Sequence, residues 1–92
     1  MRYGIIKRIN RGFNLMKINK VGSNMTELVH TSGVVVLFSY STPVAALLPS
    51  GKYVKTDRKY SVTTTKHINK WVLGNVETKP QAYVDELAGV TA

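Results

Sequence analysis

The chain has 92 residues, which is enough for one domain with one hydrophobic core. Its 13 Lys and Arg residues against 5 Asp and Glu residues give a formal net charge of +8, which predicts attraction to phosphate or other anionic groups. The absence of cysteine excludes disulfide bonds and cysteine-ligated zinc, and the longest apolar run, residues 34–38, is far shorter than the roughly 20 residues of a transmembrane helix.

The positive charge is concentrated in two blocks of the sequence. Residues 1–20 contain no acid, residues 52–70 contain only Asp57, and the tail after residue 70 is slightly acidic. The basic residues of the two blocks are Arg2, Lys7, Arg8, Arg11, Lys17 and Lys20, followed by Lys52, Lys55, Arg58, Lys59, Lys66 and Lys70. If folding brings the two blocks together, they form one continuous surface for a polyanion.

Residues 1–15 are expected to form a basic N-terminal arm. On a helical wheel Lys7, Arg8 and Arg11 lie opposite an apolar side, a pattern typical of helices on membrane surfaces or nucleic acid. The segment also contains residues that disfavour helices, namely Gly4, Asn10, Gly12 and Asn14. We therefore favour an extended arm that adds one more strand. Met16 offers an alternative, in which it is the natural start of the chain.

Five short strands are predicted next, at residues 15–20, 25–30, 34–40, 44–48 and 53–56. The third contains β-branched and aromatic residues and is expected to be central. Glycine-containing and proline-containing turns separate the strands, and Pro43 predicts a bend or an edge. Short connections of this kind favour an antiparallel meander.

Residues 64–73 are predicted to form a helix, which Ser61 or Thr63 caps and Gly74 ends. The side expected to pack on the sheet holds Val62, Thr65, Ile68, Asn69, Trp71 and Val72. The other side is expected to show basic residues to solvent.

A second helix is predicted at residues 81–88, between Pro80 and Gly89. It has fewer than three turns, so it must dock on this chain or on a partner.

From these elements we divide the chain into an arm (1–15), an α+β domain (16–74), and a linker with a short C-terminal helix (75–92). The expected fold is α+β, a small antiparallel sheet of four to five strands with one amphipathic helix packed on it and the C-terminal helix beside them.

The candidate binding site is the polar side of the first helix, with the basic residues that precede it. Ammonium, imidazole and hydroxyl groups can donate to phosphate oxygens. The residues concerned are Arg58, Lys59, Thr63, Lys66, His67 and Lys70, and the arm would add Lys7, Arg8 and Arg11. A solvated helix face explains the same pattern without a ligand, and a local hydrogen bond one turn away would explain His67.

Catalysis, cofactors and metals are not expected. His30 and His67 are isolated in the sequence, and no catalytic triad pattern, HExxH or glycine-rich phosphate loop occurs. Tyr40, Tyr53 and Tyr60 lie on or beside strands, where exposed rings can stack on unpaired bases but more often serve packing. Trp71 is expected in the core.

One part of the sequence resembles a known family. The stretch Ser39-Tyr40-Ser41-Thr42-Pro43-Val44-Ala45, followed by Gly51, Tyr53, Thr56, Tyr60-Ser61 and the segment at 63–71 (TTTKHINKW), is similar to a recurrent domain of small tailed-bacteriophage and prophage proteins. The resemblance covers residues 37–72 and leaves the basic N-terminus and the tail after Gly74 outside. It implies a phage origin and a host-cytoplasm setting but no activity.

These observations support three hypotheses. The first is a small non-catalytic phage protein that binds DNA or RNA through the basic helix face and arm. The second is a phage-encoded interaction module that binds and modulates or inhibits a host protein during host takeover, favoured by an apolar C-terminal helix with little of its own chain to cover. The third is a structural homo-oligomer. The N-terminus lacks the apolar core of a secretory signal, so the host cytoplasm is the expected location.

Overall fold

The computed structural model describes residues 17–89. Their six strands and two helices are, in chain order, β1 (Lys17–Gly22), β2 (Met25–Val29), β3 (Val35–Ser39), β4 (Thr42–Leu47), β5 (Tyr53–Thr56), α1 (Val62–Trp71), β6 (Val76–Lys79) and α2 (Gln81–Ala88). The expected arm, with Lys7, Arg8 and Arg11, lies outside the described residues. No helix among residues 17–89 is long and apolar enough to cross a membrane.

All six strands form one sheet, in the sequential order β1 to β6. Strands β1 to β5 pair antiparallel, which confirms the predicted meander. Strand β6 follows α1 and pairs parallel with β5, with Val54 opposite Glu77. The α+β class is therefore confirmed, but the expected antiparallel sheet of four to five strands is wrong in count and direction. Residues 76–79, expected within a linker, are the sixth strand, because the crossover through α1 returns the chain beside β5.

Strand β4 contains a proline although it lies between two other strands. Leu37 is opposite Ala45 and Phe38 is opposite Pro43, so Val44 is an extra residue and the register shifts. Such a bulge is a position where a strand tolerates a residue that has no N–H to donate. The bend predicted at Pro43 is this bulge.

Helix α1 covers one face of the sheet, which we call the α1 face. Its first turn is capped by the Ser61 hydroxyl, which accepts the N–H of Thr64 at 3.2 Å. The helix ends at Trp71, before the predicted stop at Gly74. The core on this face consists of Met25, Leu37, Val44, Ala45 and Ile68, with Trp71 and Val72 packed against it.

The buried side of α1 differs in part from the prediction. Ile68 and Trp71 face the sheet as expected, but Val62 is 73% exposed, and Thr65 and Asn69 are exposed as well. Thr64 is buried instead. The packed stripe is therefore rotated toward Thr64, because sheet residues supply a hydrogen-bond partner for its hydroxyl.

Helix α2 covers part of the opposite face, the α2 face. Val84 and Ala88 are buried on it, over a core of Val36, Ala46 and Val54. The predicted bounds 81–88 are confirmed, and Gly89 ends the helix in the left-handed conformation, at φ 79°. The C-terminal helix thus docks on its own sheet, and the chain forms three layers with the sheet in the middle.

Candidate nucleic-acid interface

Three connections meet at one end of the sheet, which we call the upper end. They are the β1–β2 turn, the β3–β4 turn and the loop from β5 to α1. The antiparallel register places Met25 opposite Ser39 and Ser39 opposite Thr42. The Gln81 side chain joins the elements here, since its Nε2 donates to the Pro43 carbonyl at 2.7 Å and its Oε1 accepts the Thr56 hydroxyl at 2.6 Å. The start of α1 also lies close to the β3–β4 turn, because the Thr64 hydroxyl is 3.0 Å from the hydroxyl of Ser39 at the end of β3.

A basic cavity of about 300 Å³ lies on the α1 face near this end. Three cations, Lys55, Arg58 and Lys59, line it together with one acid, Asp57. Side-chain hydroxyl and amide groups also reach it from α1 and β6, namely those of Thr65, Asn69 and Thr78. The cavity thus combines net positive charge with neutral donors, a combination that suits a phosphate group.

The charge of the described residues is divided unequally between the two faces. The alternation of strand residues places Lys17 and Lys55 on the α1 face, and α1 adds exposed lysines. The cations of that face are Lys17, Lys55, Arg58, Lys59, Lys66 and Lys70, and its acids are Glu27 and Asp57. On the α2 side Lys20, Lys52 and Lys79 are matched by Glu77, Asp85 and Glu86. The excess positive charge of residues 17–89 therefore lies on the α1 face.

Glu77 forms salt bridges with two of the lysines on the α2 side. Its carboxylate contacts Lys52 Nζ at 2.8 Å and Lys79 Nζ at 3.0 Å. The hydrogen bond from Lys52, and then the one from Lys79, lower the pKa of the Glu77 carboxyl from 4.5 to about 2. The same hydrogen bond raises the pKa of Lys52. The two salt bridges connect Lys52, just before β5, with Glu77 and Lys79 of β6, and they offset one of the two positive charges.

The structure brings together most of the predicted site residues that it describes. Arg58 and Lys59 line the basic cavity, and Lys66 and Lys70 are exposed one turn apart on α1. Thr63 is exposed at the start of the same helix. These five residues share the α1 side of the molecule.

His67 is placed differently from the other predicted contacts. It is half-buried, and its Nδ1 lies 2.7 Å from the hydroxyl of Ser39 on β3. Ser39 also bonds to Thr64 at 3.0 Å, so one hydroxyl connects two turns of α1 to the sheet. The expected local hydrogen bond within the helix is thus replaced by one across 28 residues of sequence.

The Ser39–His67 pair invites comparison with a nucleophile and its base. A serine nucleophile must reach a substrate carbonyl, but Ser39 is only 2% exposed and both of its hydrogen bonds are made to α1. The ring of Tyr40 is tilted by 44° against the imidazole, with 6.0 Å between the ring centroids. This geometry fits a positioning role, in which His67 supports Tyr40 and holds α1 on β3.

Sequence reasoning missed Lys55, Thr65 and Asn69 as cavity residues and Gln81 as the buried joint of the upper end. Lys55 alternates with the buried Val54 and Thr56, so the two-residue period of β5 already places it on the other face. The sequence left two roles open for the tyrosines, namely packing and exposure to solvent, and the structure shows both. Tyr53 packs edge-on against Trp71, while Tyr40 and Tyr60 are exposed at the upper end.

The family of unknown function DUF8033 has a family model that matches residues 16–86. Because this match covers more than three-quarters of the 92 residues, the chain belongs to that family. No curated protein and no solved structure gives a significant match. The expectation of an uncharacterised family is confirmed, and the matched region extends beyond residues 37–72 to include β1, β6 and most of α2. The phage origin and the host-cytoplasm setting stay predictions.

Proposed function

We propose that this member of the DUF8033 family is a non-catalytic protein that binds nucleic acid through its α1 face. The unequal division of charge supports this proposal, because the excess of cations lies on one side while the α2 side is balanced by its own acids. A charge that served solubility alone would have no reason to collect around one cavity and one helix. A polyanion attracted to such a face releases counterions when it binds.

The basic cavity and the exposed lysines of α1 would have separate roles. Arg58 offers a planar guanidinium for two-point contact with a phosphate, and Lys59 and Lys55 add charge to the same cavity. Lys66 and Lys70, one helical turn apart, would contact neighbouring phosphates along the backbone. Thr63 extends this line toward the upper end. Contacts of this kind position a nucleic acid without reading its sequence.

The test is a fluorescence-anisotropy titration of labelled DNA and RNA at a series of salt concentrations. Affinity should fall steeply as salt rises, and Lys66→Gln or Lys70→Gln should each reduce the slope against log salt by about 0.9 on duplex DNA or about 0.7 on single strands. Lys52→Gln is the matched control, since it removes one charge from an exposed lysine away from this face. The proposed interface would be refuted if the affinity did not change with salt concentration, or if Lys52→Gln weakened binding as much as Lys66→Gln.

The host-protein hypothesis depended on a C-terminal helix without cover. Val84 and Ala88 are buried on the sheet, so α2 does not provide that apolar surface. A pull-down from nuclease-treated lysate distinguishes the two functions, because a protein partner survives the nuclease and a nucleic-acid bridge does not. Elution well above the chain's 10.2 kDa would instead favour the homo-oligomer.

A further inference from the structure

The α2 face carries an apolar pocket outside the area that α2 covers. Among the described residues, helix α2 packs mainly over β3, β4 and β5, and it makes no comparable contact with β1 or β2 on this face. The pocket has a volume of about 280 Å³ and is lined by Ile18, Thr26, Leu28, Phe38 and Tyr40. Ile18 is 70% exposed and Tyr40 is 54% exposed. Aromatic and aliphatic surface is thus open to solvent at one site.

Tyr40 connects this pocket to the basic side of the molecule. It lines the pocket and also lies over His67 of α1, at the upper end of the sheet. Its φ of 59° is in the left-handed region, which favours glycine or asparagine over an aromatic residue. The loop with Arg58 and Lys59 leaves the sheet at the same end, two strands away, or about 10 Å.

We propose that the nucleic acid bound by the α1 face is single-stranded and that one of its bases stacks on Tyr40 and Phe38 in this pocket. The inference rests on the function proposed above. A flat base with apolar faces suits a pocket that has two aromatic walls and few polar groups. The bases of a duplex are paired and stacked on each other, so only an unpaired base can enter.

The charges on both sides of the pocket favour a polyanion as its occupant. Lys20 lies opposite Thr26 on the pocket side of β1. On the other side Tyr40 contacts His67, which lies on the same helix as the exposed Lys66 and Lys70. A strand that passes over the upper end would therefore keep its phosphates near lysines while a base enters the pocket. A neutral apolar ligand would gain nothing from this arrangement.

The experiment compares three ligands on the full chain: a single-stranded oligonucleotide of about 16 nucleotides, its duplex, and an abasic strand of the same length. Tyr40→Asn removes the ring and suits the left-handed backbone, and Tyr40→Phe keeps the ring as the matched control. Tyr40→Asn should weaken binding of the single strand by about 5- to 150-fold, the range known for loss of one stacked base. It should leave the duplex and the abasic strand unchanged, and Tyr40→Phe should resemble the wild type.

Four outcomes distinguish the two proposals. If the single strand and the abasic strand bind equally and Tyr40→Asn changes neither, the stacking site is refuted while the basic interface stands. If no ligand binds even at low salt, the nucleic-acid function itself is refuted. An acidic peptide is titrated as a further ligand: if binding of this peptide, and not of the oligonucleotide, depends on Tyr40, the pocket is a peptide site and the inference is overturned. A loss confined to the single strand supports it.

Discussion

Replacing Ser39 by alanine tests whether the serine–histidine pair is structural. The substitution removes one hydroxyl that is 2% exposed and makes two hydrogen bonds, to His67 at 2.7 Å and to Thr64 at 3.0 Å. A typical intramolecular hydrogen bond contributes about 1 kcal/mol net, so the loss of both should cost about 2 kcal/mol. In a domain of this size that corresponds to a fall in Tm of about 8–16 °C.

Thr64 explains why the cost should not be larger. After the substitution its hydroxyl still has Ser61 Oγ at 3.3 Å, and the half-buried His67 ring can bond to water. Adding Thr64→Val to Ser39→Ala gives a double variant that lacks both the Ser39 hydroxyl and the Thr64 hydroxyl. We therefore expect the double variant to lose less than the sum of the two single losses, because neither hydroxyl then remains buried without its partner.

Urea denaturation followed by circular dichroism gives these free energies of unfolding, and calorimetry gives the Tm. Ser41→Ala is the matched control, since Ser41 is exposed in the same turn and should change stability by less than about 0.5 kcal/mol. A loss of stability no larger than that of Ser41→Ala would show that the network does not hold α1 to the sheet.

Two further substitutions test contacts at other points of the fold. Trp71→Phe removes the indole N–H that donates to the half-buried Glu27 carboxylate at 2.7 Å. Urea denaturation should show that the free energy of unfolding falls by about 2 kcal/mol. Adding Glu27→Gln to the same chain should reduce this loss, because it removes the charge that Trp71→Phe leaves unpaired. A full loss in the double variant would contradict this. Glu77→Gln should alter the pH dependence, because a carboxyl whose pKa falls from 4.5 to about 2 on folding stabilises the protein above pH 4.5 and loses that effect as the pH falls toward 2. The variant should therefore be less stable than the wild type at pH 7 and equal to it at pH 2. The difference in stability at pH 7 should be smaller in high salt, because the groups are exposed. A difference in stability that does not change with pH would refute the assignment.

The elements that were predicted correctly are those whose ends are fixed by local chemistry. Pro80 and Gly89 delimit α2 because proline suits a helix start and glycine adopts the left-handed backbone at the end. Strand β6 was missed for the opposite reason. Its four residues are polar or exposed, and its only partner is β5, so nothing in its own sequence indicates a strand.

The rotation of α1 shows what a helical wheel cannot supply. Val62 is apolar, yet it lies in the first turn where it remains exposed, and the polar Thr64 is buried because Ser39 and Ser61 bond to its hydroxyl. Ser61 is local, but Ser39 lies on β3, 25 residues away in the chain, so only the tertiary structure identifies it as a partner. Lys66 and Lys70 are exposed, as predicted, because charged side chains remain in solvent wherever the sheet does not cover the helix.

Residues of segments 39–45 and 63–71 fix the orientation of α1, and the proposed interface depends on that orientation. Ser39 bonds to His67, and Trp71, one turn further along, bonds to Glu27 of β2, so the helix is fixed to two strands at two points. Each residue advances the helix by about 100°, and a rotation of that size would turn Lys66 or Lys70 toward the sheet. The hydrogen bonds therefore determine which residues reach solvent. Family members that share these hydrogen bonds would present the same side of α1 to solvent. The charge of that side would depend on which residues each member has at the exposed positions of α1.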